Sequence, residues 1–378
     1  MERDQGFWPA TMYIEGLDQY RGWFQSSLLV AVGALGRGAP FKECVTHGWT
    51  VDGEGKAMHK SLGNGMDPAE IFNKYGADLL RLWAGSSDYH VDVRCSDEIF
   101  KQLSQNYLKF RNTCKFCLDN LVGFDPDQLV QPGEMLALDK WAVTRLNSLI
   151  EKAFAAYDEY EFHVVSHMIN DFCVVDLSSF YFDIIKDRLY CDGEDSLSRR
   201  SAQSAMWMIL DAMTRMFAPI LAFTCDEIWL AMPHRHSDDG RNVLFNEMVL
   251  PYGGYALGEE EMARWARIAA LRGAVNGALE QARADKTIGK SLEAEVDLTV
   301  TAENAFLADM DAADLADLLI VSQVRVEVGA EQAVAVRPAN GAKCGRCWKV
   351  LPTVGSDSKH PDLCPRCAQV LESLPVIE

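Results

Sequence analysis

Apolar residues recur along this chain at two different spacings. In residues 1–93 they come as short runs. Residues 10–14 suit a strand and lead straight into Glu-Gly-Leu-Asp-Gln, 21–35 carry a helical repeat, and 44–49 suit a second strand. A glycine- and charge-rich loop fills 52–64. Asp67 with Glu70, and Pro68 between them, predict a capped helix over 68–75, and a further short helix is expected over 78–85. From about residue 97 the repeats lengthen, predicting helices over 98–120, 135–157, 159–189, 198–232 and 259–285, broken by loops at 123–133, 192–196 and 234–242. The first four of these, long and joined by short links, predict an antiparallel bundle. Alternation returns over 293–337, with strands at 295–300 and 324–328 on either side of a helix-like 302–319. The tail from residue 342 has little apolar content of its own, so its fold needs another source of stability. The expected chain is therefore multidomain: an α/β part at 1–93, a helical domain at 94–290, a small α/β region at 291–340 and a terminal module at 341–378.

Composition bounds the function classes. A chain of 378 residues can hold two or three cores. At 48% hydrophobic and 24% charged it is ordinary for a globular protein. No apolar run approaches the roughly 18 residues of a membrane span, and the first residues lack the basic start and apolar stretch of a signal peptide, so no membrane partner is expected. The net charge of -19 speaks against a polyanion partner. It is unevenly spread, however: residues 1–120 carry a net of -2, 343–378 a net of +1, and the stretch between holds -18. Either end can still meet nucleic acid.

Eleven cysteines cannot all pair within one chain. Seven (Cys44, Cys95, Cys114, Cys117, Cys173, Cys191, Cys225) are scattered, several among apolar neighbours, as suits a reducing cytoplasm. The other four, Cys344, Cys347, Cys364 and Cys367, follow the order Cys-x2-Cys-x16-Cys-x2-Cys. Two thiolates per tight turn, brought together by a loop, give the tetrahedral sulfur set that zinc favours. Gly345 and Pro365 suit the turns. With no open position the Zn2+ ion is expected to be structural, and its binding would supply folding free energy that this segment lacks. An iron–sulfur cluster, a redox dithiol or unliganded thiols are the alternatives, and His360 is a weaker candidate ligand. Arg346, Trp348, Lys349 and Arg366 around the cysteines suit stacking and phosphate contact with RNA, or else a solvated surface that only closes the module.

Two segments suit chemistry. In the first, Glu15, Asp18, Gln19 and Arg21 crowd the residues just after a strand, where open α/β sheets bind ligands. Gly16 permits close backbone approach, a carboxylate there can hold an ammonium group, and Gln19 can orient a carbonyl or hydroxyl. A polar turn capping the helix over 21–35 is the plainer alternative. In the second, Lys56, Lys60 and Ser61 sit in a glycine-rich frame able to surround a phosphate chain, although the order is not that of a Walker A loop. His59 either contributes there or is simply exposed. Elsewhere, Cys114 and Cys117 lie in a helical pattern and read as core. His163 and His167 lack an acidic pair that would make them a metal site. Asp171, Asp176 and Asp183 read as boundary carboxylates paired with neighbouring helices. The polar set Gln105, Asn106, Lys109, Arg111, Asn112 and Lys115 faces RNA backbone or water.

Taken in order, these segments resemble the class I aminoacyl-tRNA synthetases, and within them the C-terminal half of the bacterial isoleucyl-tRNA synthetases. YIEGLDQYRGWFQSSL is similar to that family's strand-to-helix motif at the adenylate site, and AMHKSLGN to its KMSKS signature loop. YLKFRNTCKF, FCVVDLSSFYFDIIKDRLY and MFAPILAFTCDEIW resemble its anticodon-binding bundle, and LEQARADKTIGKSLEA with CGRCW…CPRC the segments beyond it. The resemblance covers essentially the whole chain. It implies the C-terminal portion of a Rossmann-like α/β nucleotide fold, then an anticodon-binding bundle, a small α/β region and a zinc module. It further implies ATP with Mg2+, L-isoleucine and tRNA(Ile) as partners of a cytoplasmic, monomeric ligase. Glu15 would hold the amino group of isoleucyl-adenylate, with Gly16, Asp18 and Gln19 lining the pocket. Lys60 would stabilise the transition state and the leaving pyrophosphate, Met58 and Ser61 would shape the loop, and the zinc module would position tRNA.

Two departures matter. Ala57 and His59 stand where the signature has its first lysine and its serine, and Lys56 is placed to supply the missing charge. No His-x-Gly-His, the family's first signature, occurs in these residues. Half of a nucleotide fold cannot preorganise adenylate formation, so this chain is expected to be inactive alone, as a truncated product or the second piece of a split enzyme missing its N-terminal half. A stand-alone tRNA-binding module is the alternative. An unpaired apolar sheet edge is also expected within 1–93.

Overall fold

The computed structural model describes residues 8–373, which form two compact units. The first contains the described residues up to Arg111 with Lys152–Asn170 and Phe217–Glu227. The second contains Asn112–Glu151, Asp171–Met216 and the described residues from Ile228 onward.

In the first unit, strands Ala10–Gly16 and Phe41–His47 pair in parallel, from Ala10 opposite Phe41 to Gly16 opposite His47. The helix predicted over 21–35 is present and starts at Trp23. A tight turn over Leu17–Arg21 precedes the α-helix Trp23–Leu29, and a wider turn follows over Val30–Ala34. The tight turn is set off from the helix at Gly22, whose backbone (φ -110, ψ -109) is not helical, and where a Cβ would stand 2.4 Å from Gln19 Oε1. The second pair, Thr50–Val51 with Val93–Arg94, is also parallel but separate from the first. Gly48 precedes it because a Cβ there would meet the Val91 carbonyl at 2.4 Å. Ile14, Leu17, Tyr20, Trp23, Leu29 and Val30 are exposed. An apolar face on this two-stranded piece therefore has no cover among the described residues.

Asp67 caps helix Pro68–Tyr75 by accepting the Ala69 N–H at 2.9 Å. Helix Ala77–Ser86 follows, and its buried Asp78 accepts the N–H groups of Phe223 and Thr224 at 3.3 and 2.6 Å. The repeat predicted as one helix over 198–232 is in fact two, Leu197–Phe217 and Ala222–Ala231. Pro219 breaks it, since proline has no N–H and disfavours helix before it, and Asp78 supplies acceptors for the restarted turn.

In the second unit the apolar faces of helices Ala137–Asp158, Phe182–Cys191, Leu197–Phe217 and Glu259–Ala284 are buried, with Leu146, Ile150, Leu177, Trp207 and Val275 excluded from water. A wide turn over Phe172–Tyr181 joins Phe162–Asp171 to Phe182–Cys191 without a break. At its centre Asp139, fully buried, accepts from Tyr181 Oη at 2.7 Å, Ser201 Oγ at 2.5 Å and Arg188 Nη1 and Nη2 at 3.1 and 2.5 Å. A buried carboxylate needs such partners. A three-stranded sheet then places Ala294–Val300 between Gln323–Val328 (parallel) and Ala333–Pro338 (antiparallel). The third strand lies at the sheet edge and carries no apolar–polar alternation, beginning Ala-Val-Ala-Val and ending in Pro338. Ala302–Leu319 is a tight turn over Ala302–Asp309 and a helix over Ala312–Leu319. The tail holds a small hairpin, Ala342–Lys343 with Val350–Leu351, and helix Pro365–Ser373.

Candidate functional site

The first knuckle turns directly after Lys343, and the second leads into helix Pro365–Ser373, with Pro365 at its first position. These turns bring Cys344, Cys347, Cys364 and Cys367 together, all buried, with their sulfurs within 4.8 Å of one another and Cys347 Sγ 3.9 Å from Cys364 Sγ. Zn–S bonds of about 2.3 Å in a tetrahedron put sulfurs about 3.8 Å apart, so the quartet fits one zinc ion. Burial pushes the Cys347 and Cys364 thiols up. At Cys344 the same burial is outweighed by backbone N–H groups of Cys364, Cys347 and Arg346, which bring it down to about 6. A shared cation would favour the thiolate form of all four. Among the described residues no other His, Cys, Asp or Glu cluster could hold a metal, and His360 is not part of this one.

The cations around the quartet do not point outward. Arg366 forks onto Asp187 at 2.5 and 2.9 Å, Arg346 donates to the Cys191 carbonyl, and Lys349 pairs with Asp317. RNA phosphate contact by these three side chains is therefore not what their positions show. Trp348 alone of the four is exposed, at 57%, with Lys290 Nζ 5.7 Å from its ring centre.

In the first unit, Glu15 and Gly16 end the strand Ala10–Gly16, and Asp18 and Gln19 lie in the turn Leu17–Arg21 beyond its carboxyl end. Gly16 is buried, and a Cβ there would come 2.9 Å from Asp18 Oδ1. Gln19 Oε1 accepts the Trp23 N–H at 3.1 Å, while its Nε2 donates to Asp18 at 3.2 Å. Gln19 thus serves as the helix cap that the plainer alternative required, and Asp18 stays exposed.

The loop after Thr50–Val51 is stapled at its base. Ala57 bridges back to Val51. Asn64 accepts the His59 N–H at 2.9 Å and donates to Asp52 at 2.8 Å and to the Ala57 carbonyl at 3.1 Å. Asp52 also accepts from Glu54 and Lys56 N–H groups at 3.0 and 2.9 Å. The Asn64 bond, foremost among these, holds its carboxyl below the usual range. Met58 packs against the cluster of Ile71, Cys95 and Phe100. Lys60 begins a tight turn with Ser61 and Leu62, Ser61 and His59 are exposed, and Lys56 pairs with Glu54 at 2.6 Å. The staple was not singled out from the sequence, because Asp52 and Asn64 meet only once the loop closes.

The remaining candidates are structural. Cys114 and Cys117 are both buried in helix Asp97–Asn120, and burial pushes the Cys117 thiol up, which leaves it inert. His163 meets Glu161 at 3.3 Å. Asp176 accepts a fork from Arg145 at 3.0 and 3.1 Å, and Asp183 binds Arg272 at 2.7 Å.

Three family models match. Residues 2–96 match "tRNA synthetases class I (I, L, M and V)", 139–298 match "Anticodon-binding domain of tRNA ligase" and 341–370 match "Zinc finger found in FPG and IleRS". The isoleucine–tRNA ligase of Geobacter sulfurreducens is 47% identical over 378 residues, covering 96% of this chain and 40% of its own length. The chain is homologous to the bacterial isoleucyl-tRNA synthetases. That of Moorella thermoacetica is 45% identical over 383 residues, with 97% of this chain and 41% of the relative covered. The chain thus spans about two-fifths of the length of the curated relatives it matches. Solved structures share the fold at low identity. One is the LeuRS of an Agrobacterium radiobacter K84 LeuRS-tRNA-LeuAMS complex, with TM-score 0.51 and 15% identity, covering 88% of this chain and 33% of that one. Another is the Mycobacterium tuberculosis methionyl-tRNA synthetase with methionyl-adenylate, with TM-score 0.50 and 19% identity, covering 59% and 44%. No described helix is long and apolar enough to cross a membrane.

Proposed function

We propose that this chain supplies the signature-loop half of the adenylate site and the tRNA-binding part of a cytoplasmic isoleucine–tRNA ligase. Its domains would be the α/β part at 1–93, the anticodon-binding helices at 94–290, the connecting region at 291–340 and the zinc module at 341–378. The observation that carries this is the identity of 47% sustained from the strand-end segment to the cysteine tail. In the reaction, the isoleucine carboxylate attacks the α-phosphorus of ATP, pyrophosphate leaves, and the isoleucyl group passes to the terminal ribose of tRNA(Ile). Glu15 would hold the substrate ammonium at the strand end, with Gly16, Asp18 and Gln19 forming the pocket wall around it. Lys60 would place its charge where negative charge develops on the departing pyrophosphate, on a loop shaped by Ala57, Met58, His59 and Ser61. Mg2+ would enter with ATP and neutralise phosphate charge. Zinc, held by Cys344, Cys347, Cys364 and Cys367, would be structural.

A two-stranded parallel piece with exposed Ile14, Leu17, Trp23 and Leu29 supports a place in a larger α/β sheet. Positioning dominates phosphoryl chemistry, so a polypeptide of these 378 residues should bind tRNA(Ile) without catalysing isoleucine-dependent ATP–pyrophosphate exchange. Filter binding and exchange assays check both halves. Exchange by the purified chain would overturn the half-site assignment, and absence of tRNA binding would overturn the tRNA-binding one.

A further inference from the structure

Both knuckles carry an arginine immediately before their second cysteine, Arg346 in CGRC and Arg366 in CPRC. Both arginines reach the same end of the same helix. Arg346 donates through Nη1 to the Cys191 carbonyl and through Nη2 to the Tyr190 carbonyl at 3.4 Å. Arg366 forks onto Asp187 and also reaches Asp192 at 3.3 Å. Helix Phe182–Cys191 ends here, with Asp192 as its C-cap. The last carbonyls of a helix have no donor within it and carry partial negative charge. Arg346 therefore supplies donors to the last carbonyls, while Arg366 forks onto a carboxylate next to the last turn, the pairing to which a guanidinium is best suited.

The knuckles also fix where these arginines start. Each arginine directly precedes a cysteine of the quartet, and the Cys364 N–H donates across to the Cys344 sulfur at 3.4 Å, tying the two knuckles together. Closing four sulfurs around one ion sets one knuckle against the other, and so sets the spacing of the two guanidinium groups. The contact is tight: Cys191 lies in one apolar cluster with all four cysteines, Leu363 and Ala368.

We propose that Arg346 and Arg366 are positioning residues of a metal-set clamp, which seats the tail on the end of helix Phe182–Cys191 only when the four-cysteine site is loaded. This rests on the zinc assignment above. Because coupling between two sites is reciprocal in binding free energy, the clamp must also strengthen binding of the ion, although Asp187 and Asp192 do not belong to the metal-binding quartet.

The test uses the full chain with its zinc. A D187N/D192N variant should purify with one zinc per chain and hold it at least tenfold more weakly than the parent in equilibrium competition with a chelator. Arg366→Lys, which keeps the charge but not the fork, should fall between. On the parent protein, chelation should raise amide hydrogen exchange at residues 190–192 at least tenfold, a measurement that needs no variant to fold. Equal zinc affinities, or a helix end that keeps its protection after chelation, would overturn the clamp while leaving the zinc assignment standing. A purified chain without zinc would overturn the zinc assignment, and the clamp with it.

Discussion

At the scale of single residues, Asn64 has the largest role for its size. Its amide ties together the His59 N–H, the Asp52 carboxylate and the Ala57 carbonyl, and Asp52 in turn holds the Glu54 and Lys56 N–H groups. Each such bond contributes about 0.5–1.5 kcal/mol net. Asn64→Ala should therefore cost about 1–3 kcal/mol of local stability, and the amides of residues 54, 56 and 59 should exchange about tenfold to a hundredfold faster. The global unfolding midpoint should hardly move. Unchanged exchange would mean that Met58, seated against Ile71, Cys95 and Phe100, holds the loop by itself. The loop's basic and glycine residues were legible in the sequence because they are contiguous. The staple was not, because an Asp and an Asn twelve positions apart have no pattern until the chain folds back.

At the scale of elements, the long helices were legible from their apolar repeat, and the discrepancies lie where a local rule opposed it. Pro219 divided one expected helix, and strand Ala333–Pro338 begins Ala-Val-Ala-Val, which has no alternation of apolar and polar residues. Loops depend on partners that no periodicity reveals, and residues 234–242 show this. His236 donates its backbone N–H to Asp127 at 3.1 Å and pairs with the same carboxylate through Nδ1. The Asp127 hydrogen bond raises the His236 pKa above its ordinary 6.5. A raised folded-state value means that the bond's contribution is complete below pH 6.5 and is lost as pH rises through the folded value. The loop should therefore open on the alkaline side. Proton NMR of the His236 ring should give a titration midpoint above 6.5, and loop exchange, corrected for its intrinsic pH dependence, should rise through that midpoint. Asp127→Asn should return the midpoint to the ordinary range. A loop equally protected on both sides of the midpoint would show that the pair does not anchor it.

At the scale of the whole molecule, a chain of net charge -19 could meet the proposed tRNA partner only through local patches. The four cysteines were legible because each knuckle is written in four consecutive residues. The use of their arginines was not, since Cys191 and Asp187 lie 155 and 179 positions from Arg346 and Arg366. With those cations committed to carboxylates and carbonyls, phosphate binding falls to other surfaces, and helix Asp97–Asn120 presents Gln105, Asn106, Lys109, Arg111 and Asn112 exposed. A polar helix face has the same composition whether it meets water or RNA, so salt dependence has to decide between them. Lys115 is already paired with Asp119 at 2.8 Å, which leaves Lys109 and Arg111 as the informative pair. Neutralising one side chain that pairs with a phosphate should reduce the slope of log affinity against log salt by about 0.7–0.9. K109Q/R111Q should therefore weaken tRNA(Ile) binding and flatten that slope by about 1.4–1.8. A parallel line, with affinity unchanged at every salt concentration, would show that this face meets only water and that tRNA is held elsewhere on the chain.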